Sequence, residues 1–222
     1  MDHVITGFAS FKKQVFPQHQ ELFTELALGQ RPEVLFITCS DSRIDPNLVT
    51  QSNPGDLFII RNAGNIVPPH GGPAGGVTAS IEYAVAVLNV THIVICGHTH
   101  CGAMQGAITP EALKDLPHVR DWLDLSRAAV EVVKHSHQGT LDASHLRAIT
   151  EQNVLAQLMH LRTHPLVAAR VATKRLYLHG WMYEIESGEL LAYDDQAQSF
   201  GPLPEVYARM MGRETAVAGT AK

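Results

Sequence analysis

Two short stretches concentrate the reactive side chains of this chain. Thr38-Cys39-Ser40-Asp41-Ser42-Arg43 puts a thiol, a carboxylate and a guanidinium directly after the apolar run Val34-Leu35-Phe36-Ile37. Ile93-Val94-Ile95-Cys96 leads in the same way into Gly97-His98-Thr99-His100-Cys101-Gly102, where a histidine and a cysteine stand three residues apart. Short apolar runs with polar flanks read as buried strands, and ligands of open α/β sheets bind where strands end. Thiolate and imidazole are the donors zinc takes in tetrahedral geometry, and three protein ligands leave the fourth position of a catalytic site free. The residues therefore point to Cys39, His98 and Cys101 around one Zn2+, with Asp41 and Arg43 beside it. Gly97 and Gly102 are expected to give the His98–Cys101 turn its freedom. His100 is a rival ligand, read instead as facing solvent or supporting the site.

Other chemistries fit these residues less well. The gap between Cys39 and Arg43 is too short for a phosphatase phosphate loop. A zinc deaminase needs a histidine followed after one residue by glutamate, with a paired-cysteine motif later, and no two of the three cysteines here have that spacing. A nucleophilic pair of Cys39 with His98 stays open, but it leaves Cys101, Asp41 and Arg43 without roles. Gly71-Gly72-Pro73-Ala74-Gly75-Gly76 lacks both the P-loop lysine and the dinucleotide spacing.

The elements that position these groups follow from periodicity. Beyond Arg43, Asp45-Pro46 is a helix N-cap followed by proline, with the short helix running through Leu48 and Val49. Leu57-Phe58-Ile59-Ile60 is a second continuous apolar run, as in a parallel strand covered on both faces. It ends in Arg61-Asn62-Ala63-Gly64-Asn65. Val77 to Leu88 is a buried helix, and Ile93 to Cys96 a third strand. Glu111 to His135 and Asn153 to His164 read as helices, and Lys174–Ile185 with Leu190–Tyr193 as a strand pair at one end of the sheet. Strands alternating with helices predict an α/β fold with a mainly parallel central sheet. At the N-terminus, Val4, Phe8, Phe11 and Val15 recur at helical spacing, Pro17 breaks the segment, and Leu22, Phe23, Leu26 and Ala27 continue it to Gly29. This 1–30 helical arm either covers its own core or packs on another subunit. Residues 1–213 form one domain, and 214–222 a disordered tail.

At 222 residues the chain can bury one sizeable core, and 45% hydrophobic with 18% charged residues is the balance of an ordinary globular protein. A net charge of -5 argues against nucleic-acid and anionic-membrane partners. No apolar run is long enough to cross a membrane, and Met1-Asp2-His3-Val4 lacks a secretory layout, so a cytoplasmic location is expected. Three cysteines do not suggest a disulfide framework. Cys96, inside an apolar run, reads as a small buried hydrophobe. His135 and His137 read as part of a solvated loop.

Together Cys39-Ser40-Asp41-Ser42-Arg43, Arg61-Asn62-Ala63-Gly64-Asn65, Ile81-Glu82-Tyr83-Ala84-Val85 and Cys96-Gly97-His98-Thr99-His100-Cys101-Gly102 resemble the β-class carbonic anhydrases. His179-Gly180-Trp181 and the segment around Asn153 match as well. The likeness runs from the first helix to about Phe200. It is closest to the plant-like branch that includes the bacterial enzyme encoded with cyanate degradation.

The resemblance implies reversible hydration of carbon dioxide to bicarbonate. It assigns zinc to Cys39, His98 and Cys101, and a catalytic dyad to Asp41 and Arg43. It places Gln30 where a glutamine hydrogen-bonds substrate. Phe58, Ala63, Tyr83 and Gly102 complete the substrate-binding set. It also implies a homodimer or larger homo-oligomer, because the family's pockets lie between paired subunits. Some relatives close the site through a bicarbonate pocket of tryptophan, arginine and tyrosine. Arg61 and Tyr183 stand at two of those places here, with Phe36 in place of the tryptophan, so the open form and no regulatory bicarbonate inhibition are expected. Two alternatives use the same scaffold: a carbon disulfide or carbonyl sulfide hydrolase, and a zinc-stabilised binding protein without turnover.

Overall fold

The computed structural model describes residues 1–72, 75–137 and 139–210. The tail expected from 214 onward and residues 73 and 74 of the glycine-rich loop lie outside them. The sheet is built from β1 (Val34–Cys39), β2 (Leu57–Asn62), β3 (His92–His98), β4 (Tyr177–Tyr183), β5 (Leu190–Asp194) and β6 (Ser199–Pro202), in the order β2-β1-β3-β4-β5-β6. The first four strands in space run parallel, and β5 and β6 are antiparallel. The expected α/β class with a mainly parallel sheet is what forms.

Continuous apolar runs appear in β1 and β3 because both faces are covered. Helices α1 (Asp2–Ser10) and α2 (Gln20–Leu26) precede the sheet, α3 (Pro46–Thr50) follows β1, and α4 (Gly76–Ala86) joins β2 to β3. Then come α5 (Gly102–Ile108), α6 (Pro117–Leu123), α7 (Arg127–Ser136), α8 (Leu146–Thr163) and α9 (Pro165–Ala172). Leu35, Ile37, Ile93 and Ile95 point to one face, against Ile81, Ala84 and Val85 of α4, Val154 and Leu161 of α8 and Val167 of α9. Phe36, Val94 and Cys96 point to the other, with Ile44 and Trp181. Each fully buried isoleucine contributes about 1.5–3 kcal/mol of transfer free energy. Cys96 is one of these core residues, and burial pushes its thiol up to about 12. A helix from 203 to 210 ends the described chain.

Several elements differ from the sequence expectation. The stretch 111–135 is not one helix: a 3-10 turn, α6, a second 3-10 turn and α7 follow one another. Pro117 forces the break, since it lacks the N–H that would continue an earlier helix and suits a first helical turn. His135 sits in the last turn of α7 rather than in a loop. The helix expected at 153 begins at Leu146, because Asp142 caps a 3-10 turn that runs straight into it. The segment 174–185 supplies a fourth parallel strand as well as a hairpin partner, and β6 has no clear sequence signal.

Pro17 does not end the arm. A π turn over Phe11–Val15 and a 3-10 turn over Phe16–His19 carry the chain past it into α2. Phe16 stacks on Phe23 with ring centroids 5.2 Å apart. None of residues 2–26 is fully buried, so the arm does not cover the sheet. Ile5 and Phe8 are 62% and 65% exposed.

Candidate metal centre

The parallel register of β1 and β3 pairs Thr38 with Cys96, so the next residues, Cys39 and then His98, leave the same edge of the sheet together. The chain then turns through Thr99 and His100, and Cys101 becomes the N-cap of α5. The turn's left-handed residue is His100, at φ 54°, and not a glycine. Gly97 is needed for another reason: a Cβ there would sit 2.9 Å from Met182 Sδ and Val154 Cγ2, so only hydrogen lets α8 approach β3. Gly102 is exposed, and a side chain there would enter open space.

Cys39, His98 and Cys101 are buried, and their ligand atoms lie within 4.8 Å of one another, the one such group found among the described residues. The two sulfurs are 4.0 Å apart, close to the about 3.8 Å that two 2.3 Å bonds at a tetrahedral angle require. His98 Nδ1 bonds to the Thr99 carbonyl at 2.8 Å. That bond leaves Nε2 facing the sulfurs, buried and without a protein partner. Such an orphan nitrogen beside two thiols fits a metal ligand, with the other ring nitrogen anchored on a carbonyl.

Backbone amides already favour charge on the sulfurs. Gly64 N–H donates to Cys39 Sγ at 3.4 Å, and Ala103 and Met104 amides of α5 face Cys101. The hydrogen bond from the Cys101 thiol, with His98 and the Gly64 and Asp41 amides, outweighs burial and pulls Cys39 down to about 4. The same neighbour pushes Cys101 up, because a second thiolate there meets the first. A dication resolves that conflict by replacing the shared proton.

Asp41 and Arg43 border the cluster. Arg43 donates from Nε to Oδ1 at 2.9 Å and from Nη2 to Oδ2 at 2.7 Å. Its backbone N–H adds a third bond to Oδ1. These hydrogen bonds hold the Asp41 carboxyl far below its ordinary range. Asp41 Oδ2 lies 3.8 Å from His98 Nε2. Arg43 Nη2 also reaches the His100 carbonyl, while the His100 ring turns away to Glu186. His100 is thus outside the ligand group, as its reading as a supporting residue implies.

Arg61, which stands at the place of the bicarbonate-pocket arginine of some relatives, binds backbone carbonyls here through Nε and Nη2. Nε bonds the Cys39 carbonyl, and Nη2 the Asp41 and Ile44 carbonyls. It staples the 39–44 loop. Phe36 is buried edge-on against Trp181.

The fold brings Cys39, Asp41, Arg43, Ala63, His98, Cys101 and Gly102 to one place. Gln30, Phe58 and Tyr83 lie elsewhere in the chain. Phe58 is paired with Leu35, four residues from the Cys39–Asn62 pair, which is about 13 Å along the strand. Tyr83 packs on it, with ring centroids 6.1 Å apart. Gln30 precedes β1 at the end opposite Cys39. The hydrogen bonds of Gly64 and Arg61 to the loop after β1 have no spacing signal, since each partner is distant in the chain.

Comparison with known proteins agrees with this geometry. The protein-family model described as carbonic anhydrase matches residues 34–190. A carbonic anhydrase of Pseudomonas aeruginosa is 49% identical over 205 residues, covering 92% of this chain and 93% of that protein. The solved structure of the beta-carbonic anhydrase CcaA superposes with a TM-score of 0.88 at 44% identity, covering 91% of this chain and 98% of that one. One of the two tetrameric beta-carbonic anhydrases from Sordaria macrospora superposes with a TM-score of 0.77 at 31% identity, over 86% and 95% of the two chains.

Proposed function

The chain belongs to the β-carbonic anhydrase family of lyases, and we propose that it interconverts carbon dioxide and bicarbonate at a zinc ion held by Cys39, His98 and Cys101. One observation carries the reading: an Arg43-held carboxylate stands 3.8 Å from the free nitrogen of the ligand cluster. A purely structural metal needs no such neighbour, which counts against a binding protein without turnover.

When bound, the zinc supplies Lewis-acid activation of a water near neutral pH. Asp41, kept ionised by the Arg43 fork, is an acceptor only. It takes the hydrogen bond of the attacking O–H and turns a lone pair toward carbon. The Gln30 amide donates to the substrate oxygen that gains charge. Phe58, Ala63 and Tyr83 form the apolar lining that a small, weakly polar gas requires. Gly102 leaves the space above Cys101 open.

Since Gln30, Phe58 and Tyr83 lie away from Cys39 in their own chain, they act from a second copy. A homo-oligomer is supported by the exposed apolar arm and by the tetrameric Sordaria relatives. Among the described residues no helix is long and apolar enough to cross a membrane. Cytoplasmic placement, in the service of carbon utilization, is supported by three free thiols.

Stopped-flow carbon dioxide hydration with elemental analysis tests this. One zinc per chain and rapid hydration support it, and a zinc-loaded sample inert toward carbon dioxide overturns it.

A further inference from the structure

Trp122 lies on α6, half-buried against the cluster that contains Cys39, Cys101 and Met104. Its indole Nε1–H donates to the Ala63 carbonyl at 2.9 Å. That carbonyl belongs to the same peptide unit as the Gly64 N–H that donates to Cys39 Sγ. In a trans peptide the oxygen and the hydrogen point in opposite directions. The two bonds therefore form one line: indole N–H to carbonyl, amide N–H to sulfur. The neighbouring peptide is held separately, by Asn153 Nδ2 on the Gly64 carbonyl at 2.9 Å. Gly64 sits at φ +80°, and a Cβ on it would meet Met104 Cε at 2.9 Å, so only glycine fits at this point of the loop.

We propose that Trp122 is a positioning residue for the metal centre, orienting and polarising the Ala63–Gly64 peptide so that its amide draws charge from the Cys39 sulfur. The proposal rests on the zinc reading above. Hydrogen bonds in a chain strengthen one another, and groups behind a ligand tune the metal it holds. Two thiolates donate heavily and weaken the ion as a Lewis acid. A better amide donor on one sulfur offsets part of that donation. Trp122 touches neither substrate nor metal in this scheme; it acts through one peptide bond.

The test replaces Trp122 by benzothienylalanine, which keeps the ring shape and loses the N–H, with Trp122→Phe as a second variant. Each is prepared with zinc for kinetics and with cobalt(II) for spectroscopy. The sulfur-to-cobalt charge-transfer band should move to lower energy in both, since a thiolate relieved of its hydrogen bond gives up charge more readily. The kcat/KM for hydration should fall about threefold to tenfold, below the 10–100-fold typical of groups that touch a ligand directly. Unchanged circular dichroism and unchanged metal stoichiometry separate this from misfolding. A band that the isostere leaves in place overturns the relay, whatever the activity. Failure of the unsubstituted protein to bind cobalt or to hydrate carbon dioxide overturns the metal reading, and the relay with it.

Discussion

Arg43 holds Asp41 with three donors, Nε, Nη2 and its own backbone N–H, and extends the same Nη2 to the His100 carbonyl. One guanidinium thereby ties the loop after β1 to the turn after β3. The carboxylate is kept ionised and fixed in direction, beside the cluster rather than inside it.

Replacing Asp41 by asparagine leaves the three metal ligands intact but puts an NH2 where one acceptor oxygen stood. It loses half of the fork. Hydration kcat/KM should drop by about 100-fold or more, within the range of positioned proton-handling groups. Zinc content should stay at the level of the unsubstituted protein. Stopped-flow kinetics on metal-quantified samples checks both.

Gly64→Ala forces a Cβ against Met104 Cε and a left-handed conformation on alanine. A loss of about 2 kcal/mol in unfolding free energy is expected. The Gly64 amide also leaves Cys39, so zinc should pass faster to a competing chelator. Denaturant titration and a chelator time course measure the two effects.

His179 sits in a hydrogen-bonded row with His92 and Tyr207, toward the end of the sheet away from Cys39, and Glu33 lies near His92. Burial, with the nearby His92, lowers His179 to about 4. A histidine depressed when folded binds its proton in the unfolded chain first. Its contribution is therefore complete above about pH 6.5 and is lost as pH falls toward 4, at most about 3 kcal/mol and less for a partly hydrated ring. Unfolding free energies at pH 7 and pH 5 should differ less in His179→Gln than in the unsubstituted protein.

Nε and Nη2 of Arg61 are bound to the carbonyls of residues 39, 41 and 44, which fixes the guanidinium on that loop and leaves only Nη1 to meet an anion. Bicarbonate should inhibit hydration only as a product, with a Hill coefficient of about one. Initial rates over a bicarbonate series measure this, and steep cooperative inhibition would contradict it.

The arm's apolar side chains need a covering surface. The double substitution Ile5→Asp and Phe8→Asp should shift the protein to a smaller species in sedimentation, with helix content retained. Hydration should fall with it, because Gln30, Phe58 and Tyr83 then reach no partner site.

The cluster of Cys39, His98 and Cys101 is legible in the residue types, since cysteine and histidine at strand ends stand out among apolar neighbours. The Asp41–Arg43 ion pair is legible for the same reason, its members being two residues apart. Glycine roles were less so. Gly97 looked like a source of turn freedom, yet it serves helix packing, and His100 takes the left-handed position instead. The apolar spacing predicts one helix over 111–135, and Pro117, with its missing N–H, divides it.

By itself, then, the sequence determined the α/β class, the parallel strands β1, β2 and β3 and the candidate thiol and imidazole groups at their ends, because apolar runs and the residue types that follow them are local features. Only the tertiary structure decided that Trp122 backs the amide facing Cys39, that Arg61 is spent on the loop, and that Phe58 lies far from the site in its own chain. Those relationships join positions some 20 to 60 residues apart. Strand register and helix packing set them, and no spacing pattern records either.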